Sequence, residues 1–194
     1  IDAETGRERW RYEHKRRTER LCCGPANRGV ALGDDLVFVA TVDARLVALD
    51  SGTGRVAWDV TLADDGDSVK TEDGRARGGG SVWHAPAVDR ERGLIFFGVG
   101  NPSPQSIDDT RPGDNLYTSS LVALEARTGK LVWHYQQVPH DLWGYDVASP
   151  PALFDVTIDG AVVPAVGQAS KLGWYYVHDR RDGRLLFRSE AFVP

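Results

Sequence analysis

Apolar and polar positions along the chain follow the pattern of short strands separated by turns. LVALD at 46–50, LVALE at 121–125, DLVFVATVD at 35–43 and GLIFFGVGN at 93–101 are rich in branched and aromatic residues. That composition suits a pleated, half-buried surface. Apolar residues nowhere keep a 3.6-residue period over several turns, so little helix is expected. Only HDLWGYD at 140–146 has room for a single helical turn.

One short pattern organises the strands. It reads IDAETGRERW at 1–10, ALDSGTGRVAW at 48–58, ALEARTGKLVW at 123–133 and VHDRRDGRLLF at 177–187. An acidic residue (Asp2, Asp50, Glu125, Asp179) is followed four positions on by a Gly (Gly6, Gly54, Gly129, Gly183). Four more positions lead to an aromatic (Trp10, Trp58, Trp133, Phe187). The Gly supplies a turn that needs positive φ, so each copy is a β-hairpin with an aromatic anchor. The glycines are 48, 75 and 54 residues apart, counting Gly6 to Gly54 to Gly129 to Gly183. A period near 50 with several strands in it predicts propeller blades. Four copies make about four blades' worth of an all-β, open β-propeller, with residues 1–194 as one partial propeller domain. Trp10, Trp58 and Trp133 are expected to pack blade on blade. Trp83 and Trp143 lie outside the repeat and need another explanation.

Composition narrows the picture. Hydrophobic residues are 41% and charged residues 26%, ordinary for a globular domain. The net charge of −5 argues against a nucleic-acid partner, which calls for a basic face. No apolar run nears the roughly 20 residues of a membrane span. There is no Met, and residue 1 falls inside a repeat, which reads as a piece of something longer. The five His residues lack zinc-type spacing; His134 and His140 stand six apart.

The repeat and its linkers resemble the pyrroloquinoline quinone (PQQ) dependent alcohol dehydrogenases. The parts that carry the likeness are CCGPANRGVAL (22–32), RGGGSVWHAPAVD (77–89), FFGVGNPSP (97–104), RPGDNLYTSSLVALEARTGKLVWHYQ (111–136), PHDLWGYD (139–146) and SKLGWYYVHDRRDG (170–183). They occur in the family's order. The resemblance implies an eight-bladed parent propeller of PQQ-like repeats, with PQQ and Ca²⁺ or a lanthanide near the axis. It implies a small alcohol as substrate, a cytochrome as electron acceptor and a periplasmic or otherwise extracytoplasmic location.

The resemblance also implies site residues. Cys22 and Cys23 match a vicinal disulfide that packs on one quinone face; from the pair alone, two buried thiols are the alternative. Arg28 matches an arginine that reaches the quinone carboxylates, and a guanidinium suits such oxygens. Trp83 matches the aromatic floor under the other face, with Ser81 a hydroxyl contact. Asn101 matches a metal ligand whose amide oxygen suits a hard cation, against a plain turn role before Pro102. Lys171 matches a cation near the quinone carbonyls, where it would stabilise charge formed on reduction.

Two departures stand out. The family's catalytic Asp follows the Trp of HDLWGYD, where this chain has Gly144, and glycine accepts no proton. Asp146 stands two residues on, where lanthanide-using members carry an acidic ligand; it is the preferred metal ligand and substitute base, over Asp141, which could equally be a turn cap. Secondly, residues 59–77 are polar, acidic and turn-rich where the family has a whole blade. The alternatives to an alcohol dehydrogenase piece are a non-catalytic propeller scaffold for protein binding and, more weakly, a metal-binding module using Asn101 and Asp146.

Overall fold

The computed structural model describes residues 1–16, 26–62, 79–106, 109 and 111–192. Twelve strands and no helix occur among them. They form three four-stranded antiparallel sheets, each a meander in chain order. The first holds β1 (Ala31–Gly33), β2 (Leu36–Ala40), β3 (Arg45–Asp50) and β4 (Val56–Thr61). The second holds β5 (Ala87–Asp89), β6 (Leu94–Gly98), β7 (Ser120–Glu125) and β8 (Leu131–Gln136). The third holds β9 (Ala152–Ile158), β10 (Ala161–Ala169), β11 (Tyr175–Asp179) and β12 (Leu185–Arg188).

The middle strands carry the core because both of their faces are covered. Successive side chains of a strand point to opposite faces. In sheet one, Phe38, Leu46 and Ala48 pack with Ile95, Phe97, Val122 and Leu124 of sheet two. The alternate residues Val37, Val47 and Leu49 meet Trp10 and Tyr12 on the other side. In sheet two, Phe96, Leu121 and Ala123 face Val166 and Leu153 of sheet three. This explains why GLIFFG reads as an unbroken apolar run: strands buried on both faces do not alternate. Outer strand β4 alternates exposed and half-buried positions instead.

The hairpins dock as the repeat predicts. Trp10 donates its indole N–H to the Ser51 carbonyl at 2.9 Å, Trp58 to that of Ala126 at 3.0 Å and Trp133 to that of Arg180 at 3.0 Å. Each ring covers the glycine of the next copy. A Cβ added to Gly54 would lie 2.5 Å from Trp10, one on Gly129 2.9 Å from Trp58 and one on Gly183 2.6 Å from Trp133. These glycines hold φ of +72°, +72° and +76°, a region L-residues avoid. All four copies close the same turn, with the Gly N–H donating to the acidic residue's carbonyl at 2.8–3.0 Å.

The two outermost copies differ. Residues 1–10 keep the turn but belong to no sheet among the described residues, and a Cβ on Gly6 would meet nothing within 4 Å. At the other end Phe187 is 45% exposed, against 7% for Trp133. The expected four blades' worth is therefore three complete sheets plus one docking turn. Of the segment 59–77, residues 59–61 complete β4, while 63–77 lie outside the described residues.

Candidate functional site

Antiparallel register fixes which ends of the strands lie together. Gly98 pairs with Leu121, and Leu121 with Tyr135, so the 99–119 loop leaves the same end of sheet two as the 137–151 loop. In sheet three, Ala169 pairs with Tyr175 beside the 170–174 turn. Backbone hydrogen bonds knit these loops across sheets. Arg28 N–H donates to the Trp83 carbonyl at 2.8 Å, and Gly100 N–H to Ser81 at 2.9 Å. Gly80 N–H donates to Asn101 at 3.0 Å and Val82 N–H to Thr41 at 3.2 Å. The docking turns occupy the opposite ends of the sheets.

Most candidates named from the sequence meet at this loop end, around Gly100. A Cβ there would lie 2.7 Å from the Trp83 ring and 3.0 Å from Asp146 Oδ1, so only glycine lets the indole and the carboxylate flank the same backbone. Asp146 Oδ1 accepts the Asn101 backbone N–H at 2.8 Å. Its Oδ2 pairs with Lys171. Lys171 also donates to the Gly144 carbonyl at 3.1 Å, which accepts Asp146 N–H at 3.0 Å as well. Asn101 turns its amide N–H₂ onto the Pro102 carbonyl at 2.7 Å, which orients Oδ1 away from that carbonyl. Arg28 is exposed and Ser81 half-buried. Cys22 and Cys23 lie outside the described residues.

HDLWGYD holds no helical turn. Its fold is set by Asp141, which is buried and whose Oδ1 accepts the N–H groups of Trp143 at 2.8 Å and Gly144 at 3.0 Å. Its Oδ2 accepts Tyr145 N–H at 2.6 Å and the Ser119 hydroxyl at 3.2 Å. With its carboxylate so occupied, Asp141 takes the cap role. Gly144 then adopts φ +79°, which ends any right-handed helix. Arg111, buried behind this loop, donates to the carbonyls of Pro104 at 2.8 Å and Asp141 at 2.7 Å. It pins the Asn101 loop to the Asp146 loop. Arg111 stands within RPGDN, where nothing in the sequence signals this role, which depends on two loops 30 residues apart meeting.

His84, next to Trp83, is buried. Gly98 N–H donates to its Nε2 at 3.1 Å, which leaves Nδ1 to donate to the Ala85 carbonyl at 3.2 Å. Burial, with a smaller push from Arg28, holds its pKa below the ordinary histidine value, so it stays neutral.

Comparison with known proteins gives this geometry its family. The sequence profile of the glucose/ethanol/alcohol dehydrogenase β-propeller domain of the PQQ type matches residues 1–59 and 50–194. The chain belongs to this family. It is 32% identical over 257 residues to the quinohemoprotein alcohol dehydrogenase ADH IIB of Pseudomonas putida, covering 96% of this chain and 37% of that protein. It is 30% identical over 267 residues to the 1-butanol dehydrogenase (cytochrome c) of Thauera butanivorans, covering 100% and 38%. The solved quinohemoprotein alcohol dehydrogenase of Comamonas testosteroni superposes with a TM-score of 0.62 at 30% identity, over 90% of this chain and 36% of that one. The chain thus spans well under half the length of these relatives. Both sequence alignments are longer than the chain's 194 residues, so the relatives carry residues that it lacks. The two profile matches overlap at residues 50–59.

Proposed function

We propose that this chain carries part of the quinone and metal site of a PQQ-dependent alcohol dehydrogenase. The observation behind the reading is the convergence of Trp83, Asn101 and Asp146 on Gly100, with Lys171 paired to Asp146. Bound PQQ would supply the acceptor for the hydride equivalent that a primary alcohol gives up. Trp83 offers an aromatic face for a planar cofactor. Lys171, and Arg28 next to the Trp83 backbone, offer cations for its carbonyl and carboxylate oxygens. With Gly144 bearing no carboxylate, Asp146 is the group that takes the alcohol proton, once it is released from Lys171. A cytochrome acceptor follows the cytochrome c-linked relative, and an extracytoplasmic location follows the family resemblance and the cysteine pair.

The metal donors fit a hard cation in kind but fall short in number. Such ions take six to eight oxygens. Asp146, the Asn101 amide oxygen and the Gly144 carbonyl supply part of that set. No group of three or more His, Cys, Asp or Glu side chains suited to a metal occurs among the described residues. Gly144 favours a second reading, a non-catalytic propeller of PQQ-like repeats that binds protein partners.

Titration with PQQ, with Ca²⁺ or a light lanthanide present, separates the two. Saturable tryptophan quenching that disappears in Trp83→Ala supports the cofactor site. Absence of quenching with either metal overturns it and leaves the scaffold.

A further inference from the structure

We propose that Lys171 is a built-in counter-cation for Asp146, seated on the oxygens a metal ion would use and therefore in competition with that ion. The inference rests on the metal site proposed above. Its ammonium contacts Asp146 Oδ2 and the Gly144 carbonyl, a carboxylate and a backbone oxygen. Those are the donor types that a hard cation selects.

Local structure explains how a lysine reaches this seat. Lys171 projects from a tight turn in which Gly173 N–H donates to the Ser170 carbonyl at 3.0 Å and Leu172 N–H to the Ser170 hydroxyl at 3.1 Å. Gly144, at φ +79°, presents its carbonyl to the ammonium. A side chain at 144 would collide with Gln105, its Cβ falling inside the Gln105 amide. Gln105 is exposed and its amide can move aside, so the cost of a side chain at 144 lies in the φ of +79°; with glycine there, Asp146 is left as the carboxylate partner for Lys171.

The two partners are unequally buried. The Asp146 side chain is 14% exposed and that of Lys171 48%. A carboxylate so withdrawn from water needs a counter-charge. A half-exposed lysine on four methylenes can swing into solvent at little cost. A metal ion of higher charge displaces the ammonium, whereas a weakly held ion does not. Linkage makes the effect reciprocal, so metal binding releases Lys171 as much as Lys171 opposes metal.

Terbium luminescence sensitised by tryptophan tests this on the full chain, with Ca²⁺ as competitor. Wild type, Lys171→Met, Lys171→Arg and Asp146→Asn are compared, each checked for folding by circular dichroism. Lys171→Met is expected to bind Tb³⁺ roughly two- to fivefold more tightly than wild type, the worth of one half-exposed ion pair. Lys171→Arg stays near wild type, and Asp146→Asn loses binding. Acetylation of Lys171, followed by mass spectrometry, speeds up when Tb³⁺ saturates the wild type. Equal affinities in wild type and Lys171→Met, with Asp146→Asn still defective, overturn the competition and leave the metal site standing. No Tb³⁺ binding in any folded variant, together with no quenching by PQQ, overturns the metal site and the inference with it.

Discussion

The two ends of the sheets follow different rules. At the docking end, one contact is made three times: an indole over a left-handed glycine, with its N–H on a carbonyl of the next copy. At the loop end no two connections are alike, and the candidate site is assembled from pieces of four loops. Turn residues 1–6 add the control. They close the same turn around Gly6 with no ring above it. The turn is thus a property of the local sequence, and the docking is a property of the neighbour.

The comparison breaks most visibly where a ring is removed. Trp58→Ala takes an anchor out of the junction between sheets one and two and should cost about 3–5 kcal/mol, read by urea unfolding. Gly129→Ala at the same junction meets both the unfavourable φ and the Trp58 ring and should destabilise severely. A loss under about 1 kcal/mol in either would show that the repeated contact does not hold the sheets together.

The loop end should respond differently. Asp141→Ala orphans three backbone donors and is expected to cost about 2 kcal/mol. Hydrogen exchange should show the loss of protection confined to residues 143–145, with the docking hairpins unchanged. Spread of the effect into β7 and β8 would erase the distinction between the ends.

Acid separates the ends less strongly. His84, His134 and His178 are all held below the ordinary histidine pKa by burial. The unfolded chain therefore binds more protons, so stability is full above the unfolded value near 6.5 and falls as pH drops below it. Unfolding midpoints from pH 7.5 to 5 should decline, and His84→Gln should flatten part of that slope. A rise in stability over that range contradicts the neutral assignment.

The smallest effects should come from the undocked copies. Gly6→Ala carries only the conformational penalty, roughly 1–2 kcal/mol at most. Phe187→Ala, at an exposed position, should shift stability by less than about 0.5 kcal/mol. Parity between Gly6→Ala and Gly129→Ala would mean the ring contributes nothing.

The same contrast governs what could be read from sequence. The hairpins were legible because their signals are local: branched runs such as LVALD, then T-G-R at a fixed offset. The site was legible only by resemblance, since Lys171 and Asp146 stand 25 residues apart and nothing local joins them. HDLWGYD suggested a helical turn because its spacing allows one. The Asp141 carboxylate instead takes three N–H groups that a helix would have directed to carbonyls or water. Gly100 and Arg111 were invisible as site-builders, because a glycine's tolerance for close approach and a buried guanidinium's reach appear only once the loops have met.

The docking contact also sets how such a chain can change length. Trp10 and Trp133 reach carbonyls 41 and 47 positions ahead, whereas Trp58 reaches one 68 positions ahead. The geometry at the three junctions is nonetheless the same. A socket indifferent to the spacer before it makes each sheet an interchangeable module. The contact constrains the ring and the glycine it covers and leaves the length of chain between them free to vary.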